Sequence, residues 1–206
     1  MAAALTPRRP FVPRGVRTHR LDLRPVTPAD RGHLVALEAD PEVMRFLNGG
    51  LPVPEAGCPD ADFLTPRGTE PEVLAAHERS TGRFIGWFAL FDDGWVDGLW
   101  TAELGYRLHR AIWGHGFASE GVCALVAQAF DQLGFDRIRA QTLAANAGSR
   151  RVLEKAGFRH VDTVFPAFLK SLPGGEAGEV VYERRRQTGR EPICDGPLAR
   201  PVRHSP

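Results

Sequence analysis

A turn-like run occupies positions 113–118 and has the sequence Trp-Gly-His-Gly-Phe-Ala. It lies between a predicted strand and the predicted start of the most periodic helix. The first N–H groups of a helix have no partner within the helix, and the helix dipole favours negative charge at that end. Because glycine leaves these donors unobstructed, the run predicts a phosphate-binding site. The same spacing also fits an ordinary turn, and it lacks the further residues of a dinucleotide fingerprint or a P-loop.

Glu103 stands in an otherwise apolar stretch, Ala-Glu-Leu-Gly at 102–105. Burial disfavours the charged form of a carboxyl group and raises its pKa towards neutrality, which makes it a better general base. The position also fits a strand residue that faces solvent or pairs with an arginine such as Arg107. The sequence leaves both interpretations open.

The N-terminal elements follow from hydrophobic alternation and capping signals. Leu21 and Leu23 alternate with charged residues, which predicts a first strand that ends at Pro25. Thr27, followed by a proline, predicts a helix start, because threonine caps a helix and proline fits its first position. A strand followed by a helix is therefore expected before residue 40.

The elements around the candidate residues are also predicted from local patterns. Apolar residues at helical spacing predict the longest helix over 118–133. Asn146 and Ser149 fit a helix N-cap and its first turn. The sequence Asp-Asp-Gly-Trp-Val-Asp-Gly at 92–98 predicts a break between strands. Further strands are predicted at 73–78, 83–91, 100–108, 138–143, 158–164 and 180–184, and further helices at 41–47 and 146–156.

Composition favours one globular domain and excludes several functions. The chain has 206 residues, with 26 Lys and Arg against 25 Asp and Glu, and this balance argues against nucleic-acid or acidic-membrane binding. The apolar runs are shorter than the roughly 20 residues that span a bilayer. Cysteine and histidine spacings predict no metal site. We expect a flexible basic arm at 1–17, one domain at 18–186 and a flexible tail at 187–206.

Two long segments, ELGYRLHRAIWGHGFASEGV and GFDRIRAQTLAANAGSRRVLEKAGFRHV, carry a family resemblance together with the opening LRPVTPADRGHLVALEADPEVMRFL. They resemble the GNAT superfamily of acyl-CoA N-acyltransferases, and within it the RimJ/RimL-like branch of ribosomal-protein N-terminal acetyltransferases. The resemblance runs from about residue 20 to residue 183. It implies an α/β (α+β) fold, with a mixed, mostly antiparallel central sheet of about six to seven strands and about four flanking helices. It also implies a cytoplasmic enzyme.

The resemblance implies acetyl-CoA as cosubstrate and assigns residues to it. The family signature Q/R-x-x-G-x-G/A, which cradles the CoA pyrophosphate, maps onto Trp113, Gly116 and Ala118; the tryptophan departs from the general signature. Arg110 is a second departure, because the branch usually has proline there. The strand at 106–108 is expected to pair with the pantetheine arm. The expected cofactor residues are Tyr106, Arg107, Leu108, Trp113, Gly114, His115, Gly116, Phe117, Ala118 and Asn146.

The implied reaction is direct acetyl transfer to a primary amine, with Glu103 as general base and Ser149 or a positioned water as the acid that protonates the leaving thiolate. The acceptor is a small-molecule or peptide amine, and a homodimer is one alternative for the assembly. Segments 44–50 and 165–178 are expected to shape an acceptor site with partly apolar walls and no dense acidic cluster. A catalytically silent acyl-CoA sensor and a purine-nucleotide binder are the alternative functions.

Overall fold

The computed structural model describes residues 15–51 and 72–187, and within them eight strands form one sheet. Four α-helices accompany the sheet in these ranges. Most of the tail predicted at 187–206 and nearly all of the predicted basic arm lie outside the described residues. The helices are α1 Arg31–Ala39, α2 Pro41–Met44, α3 Phe117–Ala127 and α4 Ala147–Lys155. The strands are β1 Val16–Arg17, β2 Leu21–Pro25, β3 Val73–Glu78, β4 Phe84–Val96, β5 Leu99–Leu108, β6 Arg137–Leu143, β7 Arg159–Val164 and β8 Glu179–Arg185.

The sheet order is β1-β2-β3-β4-β5-β6-β8-β7, and every neighbouring pair is antiparallel except β5 and β6. The mixed, mostly antiparallel GNAT-like sheet is therefore confirmed. It has eight strands instead of the six to seven expected, because β1 pairs with β2 through residues that the sequence assigned to the arm. Two residues are too short for a hydrophobic alternation to be visible in the sequence.

The predicted break at 92–98 is wrong for most of its length. Strands β4 and β5 continue through it as a long hairpin, with a bulge between Asp92 and Gly94. The Asp92 carboxylate accepts hydrogen bonds from the Gly94 amide at 2.8 Å and the Trp100 indole at 2.9 Å, which holds the bulge. Only Asp97 and Gly98 form the turn, with φ of 52° and 75°. Positive φ at both central residues is what a type I′ hairpin turn requires.

The predicted helices are confirmed, with differences at their ends. Thr27 caps a 3-10 turn at Pro28–Asp30, and α1 follows directly. The longest helix is α-helical over α3 and continues as a wider π-helical segment, Gln128–Leu133, before it ends at Gly134. Asn146 caps α4 as expected, since its Oδ1 accepts from the Ser149 amide at 3.1 Å.

The sheet separates two hydrophobic cores. The larger core packs α3 and α4 on one face, and the smaller core packs α1 and α2 on the other. Gly121 of α3 lies directly against the ring of Phe88 on β4, so that a Cβ at this position would overlap the ring. Glycine therefore sets how closely α3 approaches the sheet. Among the described residues, no helix is long and apolar enough to cross a membrane.

Gly121→Ala is expected to lower the free energy of unfolding by about 1–3 kcal/mol, because the added methyl group overpacks the core against Phe88. Urea denaturation monitored by circular dichroism measures the change. The matched control is Gly32→Ala in α1, where a Cβ meets no atom within 4 Å and helix propensity favours alanine. Equal stabilities for Gly121→Ala and the wild type would show that α3 does not depend on this contact.

Candidate active site

A gap opens in the sheet between β5 and β6. The two strands pair over three positions only, from Thr101 opposite Arg137 to Glu103 opposite Arg139. Beyond Glu103, β5 stays paired with β4, and β6 stays paired with β8. The last five residues of β5 thus present one edge to the gap over about 17 Å, at ~3.3 Å per residue. An extended ligand with amide groups can pair with such an edge.

The turn at 113–118 lies just beyond the end of β5. Gly114 and Gly116 both adopt the left-handed conformation, with φ of 79° and 81°, and Gly116 is the N-cap of α3. The indole of Trp113 donates to the carbonyl of Leu108 at 2.8 Å, which ties the turn to the strand. The His115 ring makes a 2.9 Å contact between its Nδ1 and the Trp113 carbonyl.

The main-chain donors of this turn remain available to a ligand. No acceptor from the described parts of the chain bonds the amides of Gly114, Gly116, Phe117 or Ala118. Residues 113–116 are exposed, so the predicted phosphate-binding site is open to solvent. A Cβ at Gly116 would be strained by its φ and would meet the Arg20 guanidinium at 3.3 Å. The turn therefore fits a diphosphate, whose oxygens accept hydrogen bonds from such donors.

Ser149 and Tyr106 form a hydroxyl pair across the gap. Ser149 lies in the first turn of α4, and its Oγ is 2.8 Å from the Tyr106 hydroxyl. The Tyr106 ring stacks on Phe88 with centroids 5.8 Å apart. Burial raises the pKa of Tyr106 to about 12, although the hydrogen bond to Ser149 acts in the opposite direction. The phenol is therefore a neutral donor at physiological pH. The sequence offered no signal for this contact, because the two residues are far apart in the chain.

Glu103 projects to the opposite face of the sheet from Tyr106. The two residues are three positions apart on one strand, where successive side chains alternate between faces. Within the described residues, Glu103 has no hydrogen bond or ion pair, and Arg107 instead binds the buried carboxylate of Glu38. The arginine pairing that the sequence left open for Glu103 is thus absent from the described structure.

Two further carboxylates act on Glu103. Burial raises the pKa of Glu103, and the charges of Asp93 and Glu179 raise it further. Burial also raises the pKa of Asp93, with a contribution from the charge of Asp92, and burial raises the pKa of Glu179. These residues come from the β4 bulge, β5 and the start of β8. The sequence predicted no acidic cluster within segments 44–50 and 165–178. These carboxylates lie outside both segments.

The two segments expected to shape the acceptor site do meet. A Cβ at Gly49 would lie 3.4 Å from Pro173 Cδ, so the loop after α2 touches the loop before β8. Phe165 and Phe168 in the second segment are 66% and 57% exposed. Both rings therefore leave apolar surface in solvent on the segment expected to line the acceptor site.

Comparison with known proteins agrees with this geometry. A family model described as an acetyltransferase (GNAT) domain matches residues 20–159. The chain belongs to the GNAT family of acetyltransferases. It is an N-acetyltransferase that moves an acetyl group from acetyl-CoA to an amine. The free amides of the turn at 113–118 and the unpaired edge of β5 are compatible with a cosubstrate that has a diphosphate and an extended arm. The described residues contain no cluster able to hold a metal ion.

Two curated relatives of this GNAT protein carry acetyltransferase names. The chain is 30% identical over 179 residues to the FsC-acetyl coenzyme A-N(2)-transacetylase of Aspergillus fumigatus, covering 84% of this chain and 76% of that protein. It is 45% identical over 112 residues to the probable N-acetyltransferase YjcK of Bacillus subtilis, covering 47% of this chain and 61% of that protein. Both similarities are to proteins named for acetyl transfer.

Solved structures share the fold. A GNAT acetyltransferase from Bacillus anthracis matches with a TM-score of 0.67 and 21% identity, over 83% of this chain and 98% of that one. The aminoglycoside acetyltransferase AAC(6')-Ib in complex with coenzyme A matches with a TM-score of 0.62 and 20% identity, over 81% of this chain and 95% of that one. At these identities the matches show the fold alone.

Asp93→Asn is expected to lower the pKa of Glu103, because it removes one of the two negative charges that disfavour the ionised form. The shift is measured by carboxyl-carbon NMR titration of the full chain. Asp131→Asn, an exposed change in the π-helical segment, is the control and leaves the Glu103 titration in place. An unchanged Glu103 titration in Asp93→Asn would mean that burial and Glu179 set the shift without Asp93.

Proposed function

We propose that Glu103 is the general base and Ser149 the general acid of this acetyltransferase, and that its acceptor is a cationic primary amine. The observation that carries the proposal is the placement of Glu103. Its carboxylate makes no ion pair or hydrogen bond in the described structure, its pKa is raised, and it lies where β5 and β6 diverge. We further propose the RimJ/RimL-like branch, on the sequence resemblance. A cytoplasmic location and a homodimer are proposals on the same basis.

Acetyl-CoA is proposed to lie along the edge of β5 with its diphosphate on the turn at 113–118. The amides of Gly114, Gly116, Phe117 and Ala118 bond no protein acceptor among the described residues, and residues 113–116 are exposed. Main-chain groups from Tyr106 to Leu108 support the pantetheine arm, and Asn146 supports it from the start of α4. When bound, acetyl-CoA supplies a thioester whose acetyl carbon accepts the amine.

The proposed proton movements follow from the two faces of β5. Glu103 takes one proton from the ammonium group, and the free amine forms a C–N bond to the acetyl carbon as the C–S bond breaks; the nitrogen then releases its second proton to solvent water. Ser149 Oγ–H donates a proton to the leaving sulfur, and the Tyr106 hydroxyl at 2.8 Å can replace that proton on Ser149. A carboxyl group with a raised pKa is a stronger base than an ordinary one.

The acceptor class follows from charge and apolar surface together. Asp93, Glu103 and Glu179 attract an ammonium group, and a bound cation favours their ionised forms. Phe165 and Phe168 offer exposed apolar surface on the segment before β8, and Phe165 lies against Gly178, the residue before Glu179. An amine that carries both positive charge and an apolar part, either a small molecule or a peptide, therefore fits best. One solved structure of the same fold is the aminoglycoside acetyltransferase AAC(6')-Ib in complex with coenzyme A and kanamycin.

Glu103→Gln is expected to lower kcat about 100-fold or more, because the general base is lost, while the affinity for CoA changes little. The measurement is thiol release from acetyl-CoA with a panel of amines, together with calorimetric CoA binding. Glu78→Gln is the matched control, since Glu78 lies on β3 and bonds Thr81 and Arg83. Wild-type turnover in Glu103→Gln would remove Glu103 from the mechanism. CoA binding without thiol release from any amine would indicate the silent acyl-CoA module instead.

Ser149→Ala is expected to lower kcat about tenfold or more, because the leaving sulfur loses its proton donor. Tyr106→Phe is expected to lower kcat by about 2–10-fold, the range of one hydrogen bond, with little change in KM for acetyl-CoA. Steady-state kinetics at several pH values measure both effects. Full activity in Ser149→Ala would assign proton donation to water, and a larger loss in Tyr106→Phe than in Ser149→Ala would assign it to the tyrosine.

A further inference from the structure

Arg20, in the connection between β1 and β2, lies against the N-terminus of α3. Its Nη1 donates to the carbonyl of His115 at 2.8 Å, and its Nε donates to the Glu120 carboxylate at 2.6 Å. The guanidinium also lies over the ring of Phe117, 4.4 Å from its centroid. One side chain thus contacts three residues in and beside the diphosphate turn. No local sequence pattern indicates this role for Arg20, because its partners are about 100 positions away.

Glu120 is the charge that Arg20 balances. Its carboxylate also accepts from the Thr18 hydroxyl and from the Arg20 amide, the latter at 2.7 Å. Burial alone would raise the pKa of Glu120, but these hydrogen bonds and the Arg20 charge hold it below its usual range. Glu120 therefore carries a full negative charge in the first turn of α3, next to the turn that binds an anion.

The bond to His115 also sets the direction of a main-chain donor. In a planar trans peptide, the C=O and the following N–H point in opposite directions. Because Arg20 holds the His115 carbonyl towards itself, the Gly116 N–H of the same peptide must point away from Arg20. The left-handed φ of Gly116, 81°, keeps the turn in this orientation. The contact therefore fixes one of the amides proposed to bind the diphosphate.

We propose that Arg20 is a positioning residue for acetyl-CoA, which orients the Gly116 amide and neutralises Glu120 so that a diphosphate can bind beside it. The inference rests on the proposed cosubstrate site. It assigns a function to the β1–β2 connection, which has no residue among those expected to bind the cosubstrate. Because the effect acts on phosphate groups, it is specific to CoA and absent for pantetheine, which has no diphosphate.

Calorimetric binding of CoA and of pantetheine to the full chain tests the proposal. Arg20→Gln is expected to weaken CoA binding about tenfold or more, as loss of charge-assisted contacts predicts, and to change pantetheine binding less than twofold. Arg20→Lys keeps the charge but not the fork of donors, and is expected to fall between Arg20→Gln and the wild type. The matched control is Arg17→Gln on β1, which removes an exposed pair with Asp22 and leaves both affinities unchanged.

A double variant separates the two parts of the effect. Glu120→Gln combined with Arg20→Gln removes the repulsive charge as well, and is expected to recover part of the CoA affinity that Arg20→Gln loses. Circular dichroism checks that each variant is folded. If Arg20→Gln is unfolded, the comparison of CoA with pantetheine is made with Arg20→Lys. Equal losses for CoA and pantetheine, or unchanged CoA binding in a folded Arg20 variant, would overturn the proposal. A wild-type chain that binds no CoA would overturn the proposed cosubstrate site itself.

Discussion

The site depends on the limited pairing between β5 and β6. Each strand has an antiparallel partner on its other side, and the two pair with each other only up to Glu103 and Arg139. The usual twist between neighbouring strands favours their separation, and none of the eight strands in residues 15–51 and 72–187 fills the space. The main-chain groups of β5 after Glu103 therefore lack the strand partner that a continuous sheet would provide. The main-chain groups of such an edge can form hydrogen bonds with an extended ligand that binds reversibly.

The alternation of side chains along β5 places Glu103 and Tyr106 on opposite faces of the sheet. Glu103 lies towards the core formed with α1 and α2, and Tyr106 lies towards the core formed with α3 and α4. One strand can thus place the proposed base, Glu103, and the hydroxyl pair of Tyr106 and Ser149 on either side of the proposed acetyl-CoA site. Burial shifts the two pKa values in the same direction. It raises the pKa of Tyr106, which keeps the phenol protonated, and it raises the pKa of Glu103, which makes the carboxylate more basic.

Local patterns predicted most of the fold, because strand and helix periods are properties of neighbouring residues. They failed where a contact joins distant segments or where an element is very short. The strand β1 has two residues, and the bulge at Asp92 continues a strand through a sequence rich in turn formers. Three contacts of the site join different elements: the Tyr106–Ser149 pair, the carboxylates around Glu103 and the Arg20–Glu120 pair. The family resemblance supplied the motif residues, but not these partners.

The buried ion pair between Arg107 and Glu38 has a consequence for how new specificities can evolve. It anchors α1 to β5, and Glu38 is 1% exposed, so loss of either partner would leave an uncompensated buried charge. The scaffold beneath the reaction centre is thereby difficult to alter by single substitutions. Exposed positions such as Phe165 and Phe168 carry no comparable penalty. Selection for a different amine can therefore act on exposed residues of the segment 165–178, while the strand that carries the proposed base, Glu103, is inherited unchanged.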